Sequence, residues 1–504
     1  MVLFLIGIAI LIVGGYLYGN YVDKVFGPDD RPAPANTKAD GVDYVVMRSW
    51  KNELVELLNI AGTGPVLGPI QGILFGPIAF LTIPIGCVLA GSVHDYFIGM
   101  ISMRNGGAQI PNLINKYLGP GVKKFYNVVI TLLLLLTGVV FVYTPGDLIV
   151  GDIMKKDASS SIIWVVYGFI FLYYLLATLF PIDAIIGRIY PIFGAFLIIS
   201  ALGIFGGILL SGGAGLHALT QSPLLGLFDI HPTGQMFIPA FFITVACGIM
   251  SGFHGSQATL ISRTVGNERE GKKTFYNMML AEGFIAMCWA GGAIVLFNLL
   301  AQTKGAEAFA TGATPMVGII SRHFMGNVGG LLAIVGVIVL PITSGDTCFR
   351  SLRLIFAEQF NIDQRKAKNR LMLSSLIFIP AILILFFAKS NKGGFNLLWR
   401  YFGFTNQFVA VFALAFITVY LKTHGKNYLM TLIPGAFYSF IVMSFISHAP
   451  IGLNLESLLG LQQAGAPDVY SVSYVVGIIF AVLFVIGTLK IADKRKELIL
   501  KEDK

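Results

Sequence analysis

Charged residues are scarce in this 504-residue sequence, where Asp, Glu, Lys and Arg together make up only 12%. A soluble protein of ordinary composition carries about 25%. The sequence is 56% hydrophobic, its mean hydropathy is +0.78, and apolar runs recur along its whole length. These runs reach about 20 residues, which is enough to cross the hydrocarbon core of a bilayer. The composition therefore excludes a large soluble enzyme and predicts an all-α integral membrane protein.

Cysteine is also rare, and the four cysteines, Cys87, Cys247, Cys288 and Cys348, include no C-x-x-C pair. All four fall within apolar runs, so we interpret them as small packing residues and expect no disulfide framework. The sequence contains neither H-E-x-x-H, nor G-x-S-x-G, nor a G-x-x-x-x-G-K-[ST] phosphate loop. We therefore expect no enzymatic activity, no resident metal, no cofactor and no ATP-driven mechanism.

The apolar pattern predicts about 13 transmembrane helices. They lie near residues 1–19, 55–75, 77–101, 125–148, 161–180, 189–212, 236–253, 275–299, 328–350, 371–388, 401–421, 427–447 and 472–490. This pattern divides the chain into an N-terminal helix with its cytoplasmic connection (1–54), a core (55–421), and peripheral C-terminal helices with a basic tail (422–504).

The basic residues support this topology. If the C-terminus is cytoplasmic, 28 of the 35 Lys and Arg fall on cytoplasmic segments, as the positive-inside rule requires. The N-terminus is then outside, and we expect a multi-pass protein of the bacterial inner membrane. Its net charge of +9 is explained by contact with anionic lipid headgroups, without any nucleic acid partner.

Two of the predicted spans contain helix-breaking sequence. The second carries two prolines and three glycines within residues 59–69, and the seventh carries Gly248, Gly252 and Gly255 among polar residues. Glycine and proline weaken helices, and irregular backbone at membrane depth must be buried in protein or line a cavity. We therefore predict two discontinuous helices.

These two interrupted spans are five spans apart and cross the membrane in opposite directions. That spacing predicts an inverted five-plus-five repeat, with one unit at 55–212 and the other at 236–421. The motif Thr144-Pro-Gly-Asp147 in the fourth span is echoed by Thr343-Ser-Gly-Asp346 in the ninth. The alternative is that glycine and proline are simply common in membrane helices.

Six segments resemble the carbon starvation protein (CstA) family of bacterial peptide and pyruvate transporters. They are Asp40-Gly-Val-Asp-Tyr44, residues 61–69, Ala90-Gly-Ser-Val-His-Asp95, residues 246–257, residues 343–350 and residues 399–407. The resemblance implies a fold like that of amino acid, polyamine and organocation transporters. It also implies symport of pyruvate or peptides with a cation, used for nutrient scavenging in the stress response to carbon starvation.

Both breaks are suited to an anionic substrate, because a half-helix presents free N–H groups and a positive dipole end. We expect these half-helices to begin near Gly68 and Gly255. The candidate substrate-binding residues are Gly62, Thr63, Gly64, Gly68, Ser251, Gly252, His254, Gln257, Asn406 and Gln407, and Arg400 is the candidate outer gate. The alternative for the glycines is close helix packing, and for Arg400 a headgroup contact.

Ionisable groups within spans are costly, so each one requires a reason. The candidate ion-coupling residues are His94, Asp95, Glu282, Thr343, Ser344 and Asp346. Protons are the favoured coupling ion, and His254 in the break also favours them. Asp346 has the alternative of a simple ion pair with Arg350, one helical turn away.

Two other cation sites stay open at this stage. Sodium would bind Thr343, Ser344 and the carbonyls near Ile60 and Ala61. A transition metal would use His94, Asp95 and His254, although these lack a recognised ligand spacing.

We therefore predict an alternating-access symporter that imports a small carboxylate, such as pyruvate, or a peptide. The alternatives are an intramembrane enzyme, a passive channel, and a membrane nutrient sensor built on a transporter-like body. The missing catalytic motifs argue against an enzyme, and paired broken helices are not needed in a channel. A sensor would be expected to carry a cytoplasmic signalling domain, and none is evident in the sequence.

Overall fold

A computed structural model describes residues 1–157, 159–180, 182–217, 219, 227–300, 313–391, 393–463 and 465–502. All regular elements in these ranges are helical. The first helices are α1 (Val2–Phe26), α2 (Ser49–Ile60), α3 (Gly64–Phe75), α4 (Ala79–Arg104), α5 (Pro120–Ile153), α6 (Ile162–Ala177) and α7 (Ile182–Leu210). They are followed by α8 (Phe237–Thr244), α9 (Gly252–Ile261), α10 (Glu268–Leu299), α11 (Ala313–Phe360), α12 (Ala367–Ser390), α13 (Gly394–Thr423), α14 (Leu429–His448) and α15 (Ser471–Glu502).

Nine helices of the described chain are long and apolar enough to cross a membrane, or ten if the bent pair α2 and α3 forms one span. This result confirms a helical, multi-pass membrane protein. The predicted spans at 161–180 and 189–212 correspond to shorter apolar helices, Ile162–Ala177 and Gly194–Leu210. The predicted span at 236–253 is divided between α8 and α9.

Both predicted helix interruptions are present. Helix α2 ends at Ile60, and α3 begins at Gly64 with its axis turned by 47°. Helix α8 ends at Thr244, and α9 begins at Gly252. The expected starts at Gly68 and Gly255 are wrong by four and three residues. Proline explains the first error, because Pro65 fits the first turn of a helix, where its missing N–H is not needed.

Buried ion pairs close one end of the helix bundle, which we call the sealed face. Arg104 at the end of α4 donates two hydrogen bonds to Glu268 at the start of α10, at 2.8 and 3.0 Å. Arg104 also bonds the carbonyl of Gly27, directly after α1. Guanidinium and carboxylate planes match in such a two-point contact. At the sealed face, Arg104 therefore connects the ends of α1, α4 and α10.

The segment 27–48, which follows α1, folds under this sealed face. Asp43 is 3% exposed, and its carboxylate lies 3.4 Å from Arg350 and 3.7 Å from Arg353 of α11. Asp40 shapes the turn, because its side chain accepts hydrogen bonds from the amides of Val42, Asp43 and Tyr44. Burial raises the pKa of Asp43, but Arg353, Arg350 and Arg263 outweigh burial and hold it below its ordinary value.

Candidate functional site

The opposite end of the bundle contains a cavity of about 1040 Å³. We call this end the cavity face. Two ion pairs belong to this region, Asp147 with Lys389 at 2.7 Å and Asp152 with Arg322 at 3.0 Å. Arg400 also lines the cavity and, among the described residues, has no ion-pair partner. A guanidinium without a partner is suited to bind an anionic ligand.

His231 at the rim of the cavity adds no positive charge to that of Arg400. His231 lies in the loop before α8, with its ring 4.7 Å from that of Phe75. Burial lowers the pKa of His231 to about 4, so this ring is neutral at pH 7. His448 also lines the cavity but is paired with Glu456 at 3.2 Å, so among the described residues Arg400 supplies the positive charge that is available to a ligand.

The bottom of the cavity reaches both helix breaks through a narrow cleft. Ile243, Thr244 and Trp399 line the cavity and the cleft alike, and Gly64 and Cys247 line the cleft. Gly64 is required there, because a Cβ at this position would lie 2.2 Å from the Cys247 sulfur. The start of α3 and the break between α8 and α9 thus meet at one point.

Four predicted ionisable residues form a buried carboxylate–imidazole cluster next to the breaks. In the cluster Asp95 bonds His94 at 2.7 Å and His254 at 3.1 Å, in each case through Nδ1 of the imidazole. The other nitrogen of His254, Nε2, lies 3.5 Å from Glu282. All four side chains are 0% exposed. Helices α4, α9 and α10 therefore assemble one site from residues that lie far apart in sequence.

Glu56 of α2 adds a third carboxylate beside this cluster. It is fully buried and interacts electrostatically with Asp95 and His254. Neither of its carboxylate oxygens has a hydrogen-bond partner in the described chain. Three carboxylates and two imidazoles in a low-dielectric site are unfavourable unless cations or protons balance the negative charge. The cluster is therefore suited to bind a proton or another cation.

Local helix geometry sets the positions of His94 and Asp95. A π-helical turn at Cys87–Gly91 directly precedes the α-helical segment Ser92–Arg104. Such a turn changes the phase of the side chains that follow it, and π-turns are frequent at functional sites.

Asn406 and Gln407 of α13 brace the second break. The Asn406 side-chain oxygen accepts hydrogen bonds from the Ser251 hydroxyl at 3.0 Å and the Phe253 amide at 2.8 Å. The Gln407 side chain donates to the carbonyls of Phe242 and Met250. These predicted substrate residues therefore hold the interrupted backbone, which otherwise lacks partners in lipid. The Asn406 side-chain NH₂ has no partner among the described residues and remains available to a ligand.

Close contacts also explain two of the predicted glycines. A Cβ at Gly252 would lie 2.3 Å from the Asn406 carbonyl oxygen, and one at Gly68 would lie 2.9 Å from that of Thr244. Backbone atoms cannot move aside as a flexible side chain can. Close helix packing, the alternative to substrate binding, is therefore sufficient to explain the presence of glycine at both positions.

Thr63 and Gln257 are buried near the breaks with spare hydrogen-bonding capacity. The Thr63 hydroxyl and the Gln257 side-chain oxygen have no partner within the described ranges, although the Gln257 NH₂ bonds Ser256. Gly62 faces Phe141 of α5, since a Cβ there would lie 2.7 Å from its ring. The same ring contacts Phe253 with centroids 5.6 Å apart. Phe141 thus packs between the two breaks.

The other predicted ion-coupling residues make separate contacts. Ser344 of α11 donates to the Leu58 carbonyl at 2.9 Å, and Thr343 donates to the Leu340 carbonyl. The Ile60 carbonyl accepts from the Gly62 amide. A carbonyl oxygen keeps a second lone pair and a donating hydroxyl keeps its own lone pairs, so these contacts leave the sodium site open. Asp346 lies 4.0 Å from Arg350, which favours the structural alternative for Asp346.

The predicted site residues do not include Glu56, Cys247, Phe141 or Asp43. For Glu56 a signal was present, because Asn52, Glu56 and Asn59 are one turn apart on α2 and all are buried. Cys247 looked like a packing residue, and only the tertiary fold places its sulfur beside His254 and Glu282.

Two interrupted helices that meet a buried ionisable cluster below a cavity define a membrane transport protein. The chain belongs to the family described as "Carbon starvation protein CstA", whose profile matches residues 1–167, 149–298 and 293–445. This match confirms the resemblance seen in the sequence.

Its relatives include named transporters. The peptide transporter CstA of Bacillus subtilis is 24% identical over 87% of this chain and 88% of its own length. The pyruvate/proton symporter BtsT of Escherichia coli is 24% identical over 56% of this chain and 47% of its own length. An uncharacterized membrane protein of Haemophilus influenzae is 40% identical over 57% of this chain and 89% of its own length.

The fold is also similar to that of solved transporters. A manganese transporter of Eremococcus coleocola superposes with a TM-score of 0.56 at 11% identity, over 92% of this chain and 99% of its own. At this identity the likeness concerns the fold alone.

Proposed function

We propose that this protein is a secondary active symporter of the bacterial inner membrane that imports a small carboxylate, such as pyruvate, or a peptide. The observation that carries the proposal is the meeting of both helix breaks with the Asp95–His254–Glu282 cluster below a cavity. Substrate and coupling cation would bind at adjoining places, which allows the binding of one to favour the other.

The proposed fold contains about 13 spans, with the broken pairs α2/α3 and α8/α9 in corresponding places of an inverted repeat. The cavity face is outside and the sealed face is cytoplasmic, in agreement with the distribution of Lys and Arg. The peptide and pyruvate transport of named relatives supports the substrate class. The cavity volume of about 1040 Å³ is at the upper end of small-molecule sites, so it has room for a short peptide.

In the proposed cycle, Arg400 attracts the substrate carboxylate at the cavity face. The half-helix ends at α3 and α9, with Thr63, Gln257 and Asn406, then hold the substrate. The cluster takes up a proton, with sodium as the alternative coupling ion. Rearrangement of the sealed face releases both to the cytoplasm.

Reconstituted liposomes test this proposal. We expect labelled pyruvate or a labelled dipeptide to accumulate above equilibrium under an inward proton gradient, and not after the gradient is collapsed with an ionophore. An inward sodium gradient without a proton gradient tests the alternative ion. Equilibration without accumulation under both gradients would contradict symport and favour a channel.

Replacing Arg400 tests the role of the cavity. Loss of one charged hydrogen-bonding group costs about 1.5–3 kcal/mol, or roughly tenfold or more in affinity. We therefore expect Arg400→Ala to raise the KM for an anionic substrate about tenfold, with Arg400→Lys in between. Arg365→Ala, an exposed arginine beyond the end of α11, is the control. If Arg400→Ala changed neither uptake nor the labelling of a cysteine reporter in the cavity, the gate hypothesis would be wrong.

A further inference from the structure

Beside the cluster lies a potential metal ligand, the Cys247 sulfur, that the transport proposal does not use. The Cys247 sulfur, an imidazole nitrogen of His254 and a carboxylate oxygen of Glu282 all lie within 4.8 Å of one another, and all three residues are buried. We propose that these three side chains form a binding site for a dication of the zinc class, reached from the cavity, and that its occupancy blocks transport. The second clause rests on the proposed function, and the first does not.

One of the ligand distances suits a tetrahedral dication as it stands, and the Cys247 sulfur lies within 4.8 Å of the other two ligand atoms. Zinc binds nitrogen and oxygen at about 2.0–2.1 Å and sulfur at about 2.3 Å, which places neighbouring ligands roughly 3.3–3.8 Å apart. His254 Nε2 and Glu282 Oε1 are 3.5 Å apart, within that range. Cys247 lies in the irregular backbone between α8 and α9, so its sulfur can approach without distorting a helix. Three protein ligands would leave the fourth position open.

These ligand atoms are available. In the described chain, His254 Nε2 and both carboxylate oxygens of Glu282 lack a hydrogen-bond partner although they are fully buried. Such atoms are costly to bury unless something binds them. Apart from the 3.5 Å contact between them, these converging atoms have no hydrogen-bond partner among the described residues, which favours a bound ligand over a packing defect.

The surrounding contacts also orient the histidine for this role. Asp95 contacts Nδ1 of His254 at 3.1 Å, so Nε2 points away from Asp95 and toward Glu282. A carboxylate on the far nitrogen is the usual partner of a metal-binding histidine, since it fixes the tautomer and strengthens the ligand. Asp95 would thus be a positioning residue for the metal.

The charge and the chemical type of the three ligands favour a zinc-like ion over calcium or magnesium. A thiolate and a carboxylate together balance the charge of a dication, which lowers the cost of a charged site in a low-dielectric region. A thiolate with an imidazole selects zinc-like ions, whereas calcium and magnesium prefer oxygen ligands.

The cleft leads from the cavity toward the site, but it has no room for a water molecule in this conformation, so a dication would enter when the break between α8 and α9 moves. The cleft is lined by Cys247 and shares Ile243, Thr244 and Trp399 with the cavity. A dication that enters from the cavity face would meet Cys247 first. Once bound, it would occupy His254 and Glu282 and exclude the coupling cation.

Cobalt titration of the purified, full-length protein in detergent tests the site directly. We expect one equivalent of Co²⁺ to produce a thiolate charge-transfer band, and Zn²⁺ to remove it. Cys247→Ser should abolish the band, and Asp95→Asn should weaken binding about 10–100-fold. Cys288→Ser, a buried cysteine on the same helix as Glu282, is the matched control and should keep the band. A band that persists in Cys247→Ser, or no band in the wild type, would overturn the site.

Alkylation provides a test that leaves all three ligands unchanged. In a variant that lacks Cys87, Cys288 and Cys348, a thiol reagent should modify Cys247, and Zn²⁺ should slow that reaction at least tenfold. An unchanged rate would count against the site.

Uptake assays separate the two proposals. External Zn²⁺ should inhibit uptake by wild type and Cys288→Ser at least tenfold more strongly than uptake by Cys247→Ser, when each variant is compared with its own uptake without Zn²⁺. Equal inhibition of Cys247→Ser would overturn the blocking role. A cobalt band without any uptake would leave the metal site standing and refute the transport proposal.

Discussion

Asp95→Asn is expected to reduce gradient-driven accumulation strongly while preserving exchange of labelled for unlabelled substrate. Asp95 is the centre of the cluster, with contacts to His94 at 2.7 Å and His254 at 3.1 Å. The asparagine side chain has nearly the same shape as that of Asp95 but carries no negative charge. Loss of a charged hydrogen-bonding group weakens binding of the coupling cation by about 1.5–3 kcal/mol, so we expect a drop of roughly 10–100-fold in concentrative uptake. Parallel accumulation and counterflow measurements in liposomes check this result.

Two further variants distinguish a coupling defect from unfolding. Glu282→Gln should show the same division between accumulation and exchange, because it contacts His254 at 3.5 Å. Asp493→Asn removes an exposed carboxylate that pairs with Lys422 on the peripheral helix α15, and it should leave both activities intact. Full accumulation by Asp95→Asn would exclude the cluster as the coupling site.

Asp43→Asn is expected to destabilise the sealed face strongly. The carboxylate lies between Arg350 and Arg353, which are 3% and 1% exposed. Its removal would leave the buried Arg353 without an ion-pair partner among the described residues and Arg350 with only the more distant Asp346 carboxylate, at a cost of about 3–5 kcal/mol. We expect a lower Tm in detergent and faster alkylation of a cysteine placed at Ser262, a buried position near this face, in a background without the native cysteines.

The pH dependence provides a second readout for Asp43. The folded-state pKa lies below the ordinary value of 3.8, so the folded state favours the charged carboxylate. The resulting stabilisation is present above about pH 4 and is lost as the pH falls through the folded-state pKa. Asp43→Asn should lack this component. Asp30→Asn, which breaks an exposed pair with Arg269, is the control and should change neither Tm nor alkylation. Equal behaviour of the two variants would contradict the role assigned to Asp43.

Local sequence was enough to predict the breaks. Residues 59–69 and 246–257 contain glycine, proline and polar side chains where a membrane helix should have none, and the structure is interrupted at both places. The starting residues were wrong because Pro65 is compatible with a first helical turn. The inverted repeat stays a prediction, since it concerns the relation of distant segments.

The cluster was predictable only in part. The cost of burying charge identified His94, Asp95, His254 and Glu282 separately, but their mutual contacts depend on how α4, α9 and α10 pack. Glu56 was missed because it is the second residue of the predicted span 55–75, where a carboxylate would lie at the membrane surface, whereas α2 begins at Ser49 and buries it. Cys247 was missed because a cysteine in an apolar run has no local mark that separates a ligand from a packing residue.

The contacts of Arg104 have a consequence for the speed of the proposed cycle. Its two hydrogen bonds to Glu268 and its position 4.0 Å above the Phe26 ring must be broken before anything leaves through the sealed face. Opening the cavity face requires no such step, because it is already open. Turnover would therefore be limited by release into the cytoplasm, and weakening the Arg104 contacts should raise the maximal rate until the seal begins to leak.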